Sequence, residues 1–420
     1  MLLAIGGAID FGRMMQLKKE MQDAADVASL GSVAVNSSAY KAKNKGDDDD
    51  AKSQGVNQAS AIFDSNMPAH DELSKLNVST RVTSNNGLLT SNVRATALYK
   101  PYILGLMQAT FPISVASTAS STTPPFIDFY LLLDNTPSMG LGATYADIDK
   151  LVAATPVAIY AKEGNCAFAC HESGAKAGND YYTLAKKVLK ITLRIDVVRE
   201  ATQDMMVTAK KTETLPNQYR MAIYDFGEAA DKIDQQNPVA YLVSPLMTDL
   251  DKSAKNAAAI DLMTVPYQNY NSDRQTGFKT VLANMDSIIP KVGDGTSAAK
   301  PQKVLFFVSD GATDSYDCTA SGCRRLGGMD TATCKTLKDR GVRIAVLYTK
   351  YLRLVKPYND PTGWYDANMD KYISPTDVLS QQMQACASPG LFFEVAPNQG
   401  ISEAMSALFK KVVAVVRINA

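Results

Sequence analysis

The chain has 420 residues, more than one hydrophobic core ordinarily organises, so two or three domains are expected. Its 43 basic residues balance 43 acidic ones, which leaves no net field to hold a nucleic acid, and two histidines, His70 and His171, supply little for a Ser-His-Asp triad or a histidine-rich metal site. Hydrophobic residues make up 46% of the chain, enough for a sizeable core, and six cysteines allow three disulfides in an oxidising compartment.

The opening Met1-Leu-Leu-Ala-Ile-Gly-Gly-Ala-Ile-Asp10 is apolar for nine residues, whereas a spanning helix needs about 20. Directly after it, Met14, Leu17, Met21, Ala24 and Ala28 recur at helical spacing, while Arg13, Lys18, Lys19, Glu20 and Asp23 fall largely on other faces. The wording Asp10-Phe-Gly-Arg13, then Met21-Gln-Asp-Ala-Ala-Asp-Val-Ala-Ser-Leu30, resembles the amino-terminal segment of TadE/TadG-like Flp pilus assembly proteins. The resemblance implies, over residues 1–35, a membrane helix running into an amphipathic one. In that family a longer apolar segment precedes the aspartate, so codons upstream of Met1 are expected to encode about ten further apolar residues. A soluble helix with an apolar end is the alternative.

Residues 36–125 read as a small α+β region without evident chemistry. The charge run Lys45-Gly46-Asp47-Asp48-Asp49-Asp50 reads as a solvated loop, because a calcium loop needs alternating ligands and a spaced glutamate. Val78 to Thr83 and Leu88 to Tyr99 alternate about Asn86-Gly87, a type I′ hairpin signal. Pro101 to Gln108 reads as helix, Ile113 to Ala119 as strand, and Ser120 to Pro125 as a linker.

From Phe126 to the end, strand and helix patterns alternate. Candidate parallel strands are Phe126 to Asp134, Tyr219 to Phe226, Lys303 to Asp310, Arg343 to Tyr348 and Leu391 to Val395, with Ala240 to Val243 as an antiparallel edge. Helices are expected at Arg194 to Lys210, Phe278 to Ile288, Thr331 to Asp339 and Asp377 to Ala385, and the stripe Ile401, Met405, Leu408, Phe409, Val412, Val413 marks a last, core-facing one. This order implies a doubly wound, mostly parallel α/β sheet. Such sheets place their sites at strand carboxyl ends.

Two strands end in carboxylates. Phe126-Ile-Asp-Phe-Tyr-Leu-Leu-Leu-Asp134-Asn-Thr136-Pro-Ser138-Met-Gly140 follows its acid with two hydroxyls at alternate positions, and Val304-Leu-Phe-Phe-Val-Ser-Asp310-Gly311 repeats the apolar strand and terminal acid. Hard oxygens alone suit Mg²⁺, Mn²⁺ or Ca²⁺ rather than zinc or copper. Here the chain resembles the von Willebrand factor type A domain, whose metal-ion-dependent adhesion site uses Asp-x-Ser-x-Ser, a loop threonine and a later aspartate. Asp134-Asn-Thr136-Pro-Ser138 departs once, with threonine for the first serine, and keeps the hydroxyl. The resemblance implies that Tyr270-Asn271-Ser272-Asp273-Arg-Gln-Thr276-Gly277 carries the third element. Ser272 matches best, with Asn271, Asp273 and Thr276 left open. Asp294-Gly-Thr296 looks closer to the family's motif but precedes the strand ending at Asp310, and so belongs at the opposite edge of the sheet.

Residues 140–190 form an insertion that contains Cys166-Ala-Phe-Ala-Cys170-His171-Glu172. This block, like Leu193-Arg194-Ile195-Asp196-Val197-Val198-Arg199, resembles TadG-like proteins. Haem attachment wants Cys-x-x-Cys-His, and zinc would lack an evident fourth ligand beyond Cys166, Cys170 and His171. A Cys166–Cys170 disulfide is the third reading, since an i, i+4 helical pair lies about 6 Å apart. Cys318 is expected to pair with Cys323. Cys334 and Cys386 belong to helices of consecutive α/β units and are expected to pair as well.

The resemblances imply a single-pass membrane protein with an extracytoplasmic type A domain that acts by binding, not catalysis. Its ligands would be Asp134, Thr136, Ser138, Ser272 and Asp310 around Mg²⁺ (or Ca²⁺ or Mn²⁺), with one position open to an acidic group on a pilin-like or pilus-assembly partner. The alternatives are a metal-assisted hydrolase in which Asp134 and Asp310 activate water, or a structural subunit with a vestigial site. No general base or nucleophile elbow supports the hydrolase.

Overall fold

The computed structural model describes residues 2–85, 87–103, 105, 109–155, 166–169, 171–172, 181–226, 239–267, 270, 275–316, 321–352, 367–396 and 400–418. The chain divides into two compact units, one of Met1–Phe126, Asp294–Pro301 and Arg417–Ala420, the other of Ile127–Gly293 and Gln302–Val416.

In the first unit, α1 (Leu2–Val33) runs unbroken from the apolar start through the amphipathic stretch. No helix among the described residues is long and apolar enough to cross a membrane. Leu17, Met21, Ala24, Ala25 and Ala28 are buried against Phe63 of α3 (Asp48–Asn66) and against Val93, Ala95, Ile113 and Val115 of a sheet ordered β1 (Leu73–Asn85), β2 (Leu88–Tyr99), β3 (Phe111–Thr122). Helix α2 (Ser38–Asn44) and Ala51 add a second small core with Val82 and Leu89. β1 and β2 form the expected hairpin, with Gly87 at φ +78°, which a glycine adopts without steric cost.

The structure departs from the sequence pattern at three places. The acidic run is no loop: Asp47 caps α3 by accepting from the Asp50 N–H (2.9 Å), and Asp48, Asp49 and Asp50 fill the first turn, where the helix dipole favours negative charge. Asp48 also meets Lys43 and the Ser84 hydroxyl (2.6 Å). Pro101 to Ile103 start the stretch as a bend, because the buried Asp10 carboxylate takes the backbone N–H groups of Tyr102 (2.8 Å) and Ile103 (2.9 Å), whereas Gly105 is in a 3₁₀ turn; residues 104 and 106–108 lie outside the described residues. The supposed linker is half strand, since β3 pairs with β2 as far as Thr122 opposite Leu88.

The second unit holds a six-stranded sheet of order β11-β10-β7-β4-β5-β6, with β4 Ile127–Leu133, β5 Tyr219–Asp225, β6 Tyr241–Met247, β7 Gln302–Ser309, β10 Arg343–Thr349 and β11 Phe392–Val395. All pairs are parallel except β5–β6, the expected antiparallel edge. Every residue of β4 and β7 is buried, as their continuous apolar runs demand. Ile127, Phe129, Leu131 and Leu133 face α6 (Arg194–Thr212) and α11 (Ile401–Ile418). On the other face, Tyr130 and Leu132 join a core with α4 (Tyr145–Ala154), α8 (Phe278–Ile288), α9 (Ala332–Asp339) and α10 (Val378–Cys386). Short helices α5 (Tyr181–Thr183) and α7 (Leu250–Asn256) and a hairpin of β8 (Ala312–Tyr316) with β9 (Arg324–Gly328) complete the unit.

From β4 the chain moves outward through β5 and β6, then crosses back to β7 on the other side of β4 and continues to β10 and β11. The direction of winding therefore reverses between β4 and β7. In open α/β sheets a crevice opens there, beyond the strand carboxyl ends.

Candidate metal centre

Asp134 and Asp310 stand at that reversal. β4 and β7 pair in register up to Leu133 opposite Val308, and the Asp134 N–H donates to the Val308 carbonyl (2.9 Å), so the pleat carries both strand ends to the same rim. Both carboxylates are completely buried.

The loop after β4 folds tightly around its acid. Asp134 Oδ1 accepts from the Thr136 N–H (3.0 Å) and hydroxyl (2.7 Å), closing an Asx turn, and Pro137 opens a 3₁₀ turn, Pro137–Gly140, where its fixed φ suits the first position. That turn sets the Ser138 hydroxyl 3.4 Å from that of Thr136. A side chain at Gly140 would sit 2.9 Å from the Ala169 carbonyl, so only glycine lets the turn close. Asn135 anchors the loop: its Oδ1 accepts from the Phe226 N–H (3.2 Å) and its Nδ2 donates to the Asp261 carbonyl (3.2 Å).

After β7, the Ser309 hydroxyl donates to Asp134 Oδ2 (2.6 Å) and accepts from the Gly311 N–H (2.9 Å). Gly311 turns the chain at φ +73°, and Asp310 Oδ1 accepts from the Ala312 N–H (3.1 Å). Asp310 Oδ2 makes no hydrogen bond. It lies 3.6 Å from Nη1 of Arg194, the first residue of α6, which is itself buried. Burial, and after it the charge of Asp310, pushes the Asp134 carboxyl up to about 7. Burial likewise raises Asp310, against the opposing effects of Arg194, the Ala312 N–H and the Ser138 hydroxyl. Two buried carboxylates, hydroxyls beside them and one oxygen left without a donor form a set that a hard divalent cation fits.

Four of the five expected ligands, Asp134, Thr136, Ser138 and Asp310, thus cluster at one rim of the sheet. Ser272, with Asn271 and Asp273, lies outside the described residues. Thr276, the fourth residue considered for that loop, is placed: it is buried just before α8 and exchanges backbone hydrogen bonds with Asp314, four residues past Asp310 (2.8 and 3.2 Å). Among the described residues no three His, Cys, Asp or Glu side chains gather as a metal cluster, so hydroxyls would complete any shell. Asp294 is elsewhere, accepting from the Thr296 N–H and hydroxyl in the first unit.

Sequence reading missed Ser309 and Arg194. Ser309 shows no signal beyond its place in Val-Ser-Asp, and Arg194 stood out only as part of a block, since register and helix docking are tertiary facts.

Of the cysteines, Cys334 and Cys386 are bridged and fully buried. Cys323 is disulfide-bonded; its expected partner Cys318 lies outside the described residues. Cys170 does too. Cys166 is half-buried with its thiol 3.0 Å from the Phe168 carbonyl, while His171 stacks on Tyr182 (4.1 Å between ring centroids) and sets Nδ1 3.2 Å from the Leu262 carbonyl.

The second unit is therefore a mixed α/β fold with a mostly parallel sheet and an acidic pair at its switch point. Residues 1–35, in the first unit, match the model of the Flp pilus-assembly TadE/G-like family. No curated protein matches the chain. Among solved structures, it is similar to the pilus adhesin SpaC from Lactobacillus rhamnosus GG, at 12% identity over 84% of this chain and 36% of that one, with a TM-score of 0.36. It is also similar to the vWF domain of the type V pili tip protein Mfa5 from Porphyromonas gingivalis, at 10% identity over 71% of this chain and 97% of that one, with a TM-score of 0.35. The chain spans 36% of the length of SpaC.

Proposed function

We propose that this is a TadG-like protein of Flp pilus assembly, anchored in the membrane through the segment that includes α1, with a doubly wound von Willebrand factor type A domain on the extracytoplasmic side. It acts by binding, not by turnover. The family match over residues 1–35 supports the pilus role. The binding role is carried by one observation: Asp134 and Asp310, fully buried at adjacent parallel strand ends, both hold a proton more tightly than an ordinary carboxylate, while Asp310 Oδ2 lacks a donor. A divalent cation offsets the cost of keeping both acids charged there. Mg²⁺, or Ca²⁺ or Mn²⁺, would be held by Asp134, Thr136, Ser138, Asp310 and a residue of the 271–276 stretch, Ser272 foremost, with Asn271, Asp273 and Thr276 as the other candidates. One open position would then take an acidic group of a pilin-like or pilus-assembly partner.

Calorimetric titration of chelator-treated protein with MgCl₂ tests this. Saturable binding that disappears in Asp310→Asn is expected. Absence of binding heat, together with an unchanged melting curve for Mg²⁺, Ca²⁺ and Mn²⁺, would refute it.

A further inference from the structure

Arg194 is an unusual neighbour for a cation site. It is 3% exposed, its Nη2 donates to the Lys350 carbonyl (2.6 Å), and its guanidinium lies 5.9 Å from the centre of the Tyr351 ring. Its Nη1 makes no hydrogen bond and faces the equally unbonded Asp310 Oδ2 across 3.6 Å, beyond hydrogen-bond range. The contact is thus a charge pairing without a bond. A buried guanidinium ordinarily fills its fork with acceptors. Here one arm is fixed to the backbone and the other only leans toward the acid. Arg194 also lines a small cavity of about 30 Å³, together with Ala143, Val197, Thr349, Lys350, Val395 and Ile401.

We propose that Arg194 is a resident cation that neutralises Asp310 while no metal is present, and that a divalent ion enters only as the guanidinium withdraws. This rests on the metal-site reading above. Arg194 is therefore a positioning residue that sets metal affinity. A positive charge a few ångströms from a ligand oxygen opposes a second cation at the same oxygen, and its withdrawal leaves the carboxylate to the metal. The same residue stabilises the metal-free fold, because without it the two buried acids have no counter-charge among the described residues. The protein then alternates between an arginine-paired, metal-free state and a metal-loaded state.

The test is titration of full-length wild type, Arg194→Met and Asp310→Asn with MgCl₂, followed by calorimetry and thermal melting. Arg194→Met keeps the apolar stem and removes the charge. It is expected to bind Mg²⁺ at least about tenfold more tightly than wild type, to melt lower without metal, and to gain more melting temperature on Mg²⁺ addition. Arg194→Gln, which retains a donor for the Lys350 carbonyl, takes its place if the Met variant does not fold, with the same expectation. In wild type the Arg194 side-chain ¹⁵N resonance should shift on Mg²⁺ addition, a readout that needs no variant. Equal affinity of wild type and the neutral variants, weaker binding by those variants, or an unmoved Arg194 resonance at saturating Mg²⁺ would overturn the proposal and leave the metal site standing. No Mg²⁺ binding by any of the proteins would remove the metal site, and this proposal with it.

Discussion

At the scale of single residues, the protein places charge where burial makes it consequential. Asp134 binds its proton more tightly in the folded than in the unfolded chain, so without metal it stabilises the fold below its unfolded pKa and loses that contribution as pH rises toward about 7. Chelated protein should therefore lose melting temperature between about pH 4 and 7. Asp134→Asn should flatten that part of the profile, and thermal melts across this range, with and without Mg²⁺, check both. At the opposite end of β4, Asp128 sits in one register row with Arg220 and Lys303, accepting from Arg220 Nε (2.6 Å) and Nη2 (2.8 Å) and from Lys303 Nζ (2.5 Å). Lys303 is nearly inaccessible, so Asp128→Ala would strand a buried cation and should cost about 3–5 kcal/mol in urea unfolding. A loss below about 1 kcal/mol would show that Lys303 finds another partner or water.

At the scale of elements, composition alone misreads a run whose meaning depends on the element it precedes. Four aspartates in a row resemble a solvated loop until a helix starts behind them; then the first is a cap and the rest answer the helix dipole. Asp47→Ala should lower stability by about 1 kcal/mol, measured by denaturant unfolding, while Asp47→Asn should be nearly neutral. Helix α1 makes the same point about packing. Its apolar stripe at Leu17, Met21, Ala24 and Ala28 was readable from spacing, but not that it packs on β2, β3 and α3. Met21→Ala should cost about 2–5 kcal/mol, far more than Met15→Ala on the exposed face of the same helix. Comparable effects of the two would show that α1 does not share this core in solution.

For the molecule as a whole, the Cys334–Cys386 bridge joins α9 to α10 across 52 residues of sequence. Closing a loop of that length restricts the unfolded chain by about 4 kcal/mol in the chain-entropy model, so the double variant Cys334→Ala/Cys386→Ala should lose roughly that much stability in denaturant titration. Peptide mapping without reductant should recover the linked pair. Free thiols at both positions would remove the bridge and, with it, a main support for an extracytoplasmic setting.

The sequence by itself determined the five parallel strands with their antiparallel edge, the five helices α6, α8, α9, α10 and α11, and the two acids that end β4 and β7, because an apolar run buried on both faces and cut off by a carboxylate is a local signal; the β8–β9 hairpin and helices α4, α5 and α7 left no such signal. It also pointed to the Cys334–Cys386 pair, since consecutive α/β units set neighbouring helices side by side, and the structure bridges the two. The tertiary structure alone decided that β7 returns beside β4 instead of continuing outward past β6, and this brings Asp134 and Asp310, far apart along the chain, to one rim. It alone set Ser309 on Asp134 and carried Arg194 to Asp310 from the start of a distant helix. Spacing along the chain reports which face of an element a side chain occupies, whereas strand order and helix docking are fixed by how whole faces bury one another, and no local stretch contains that information.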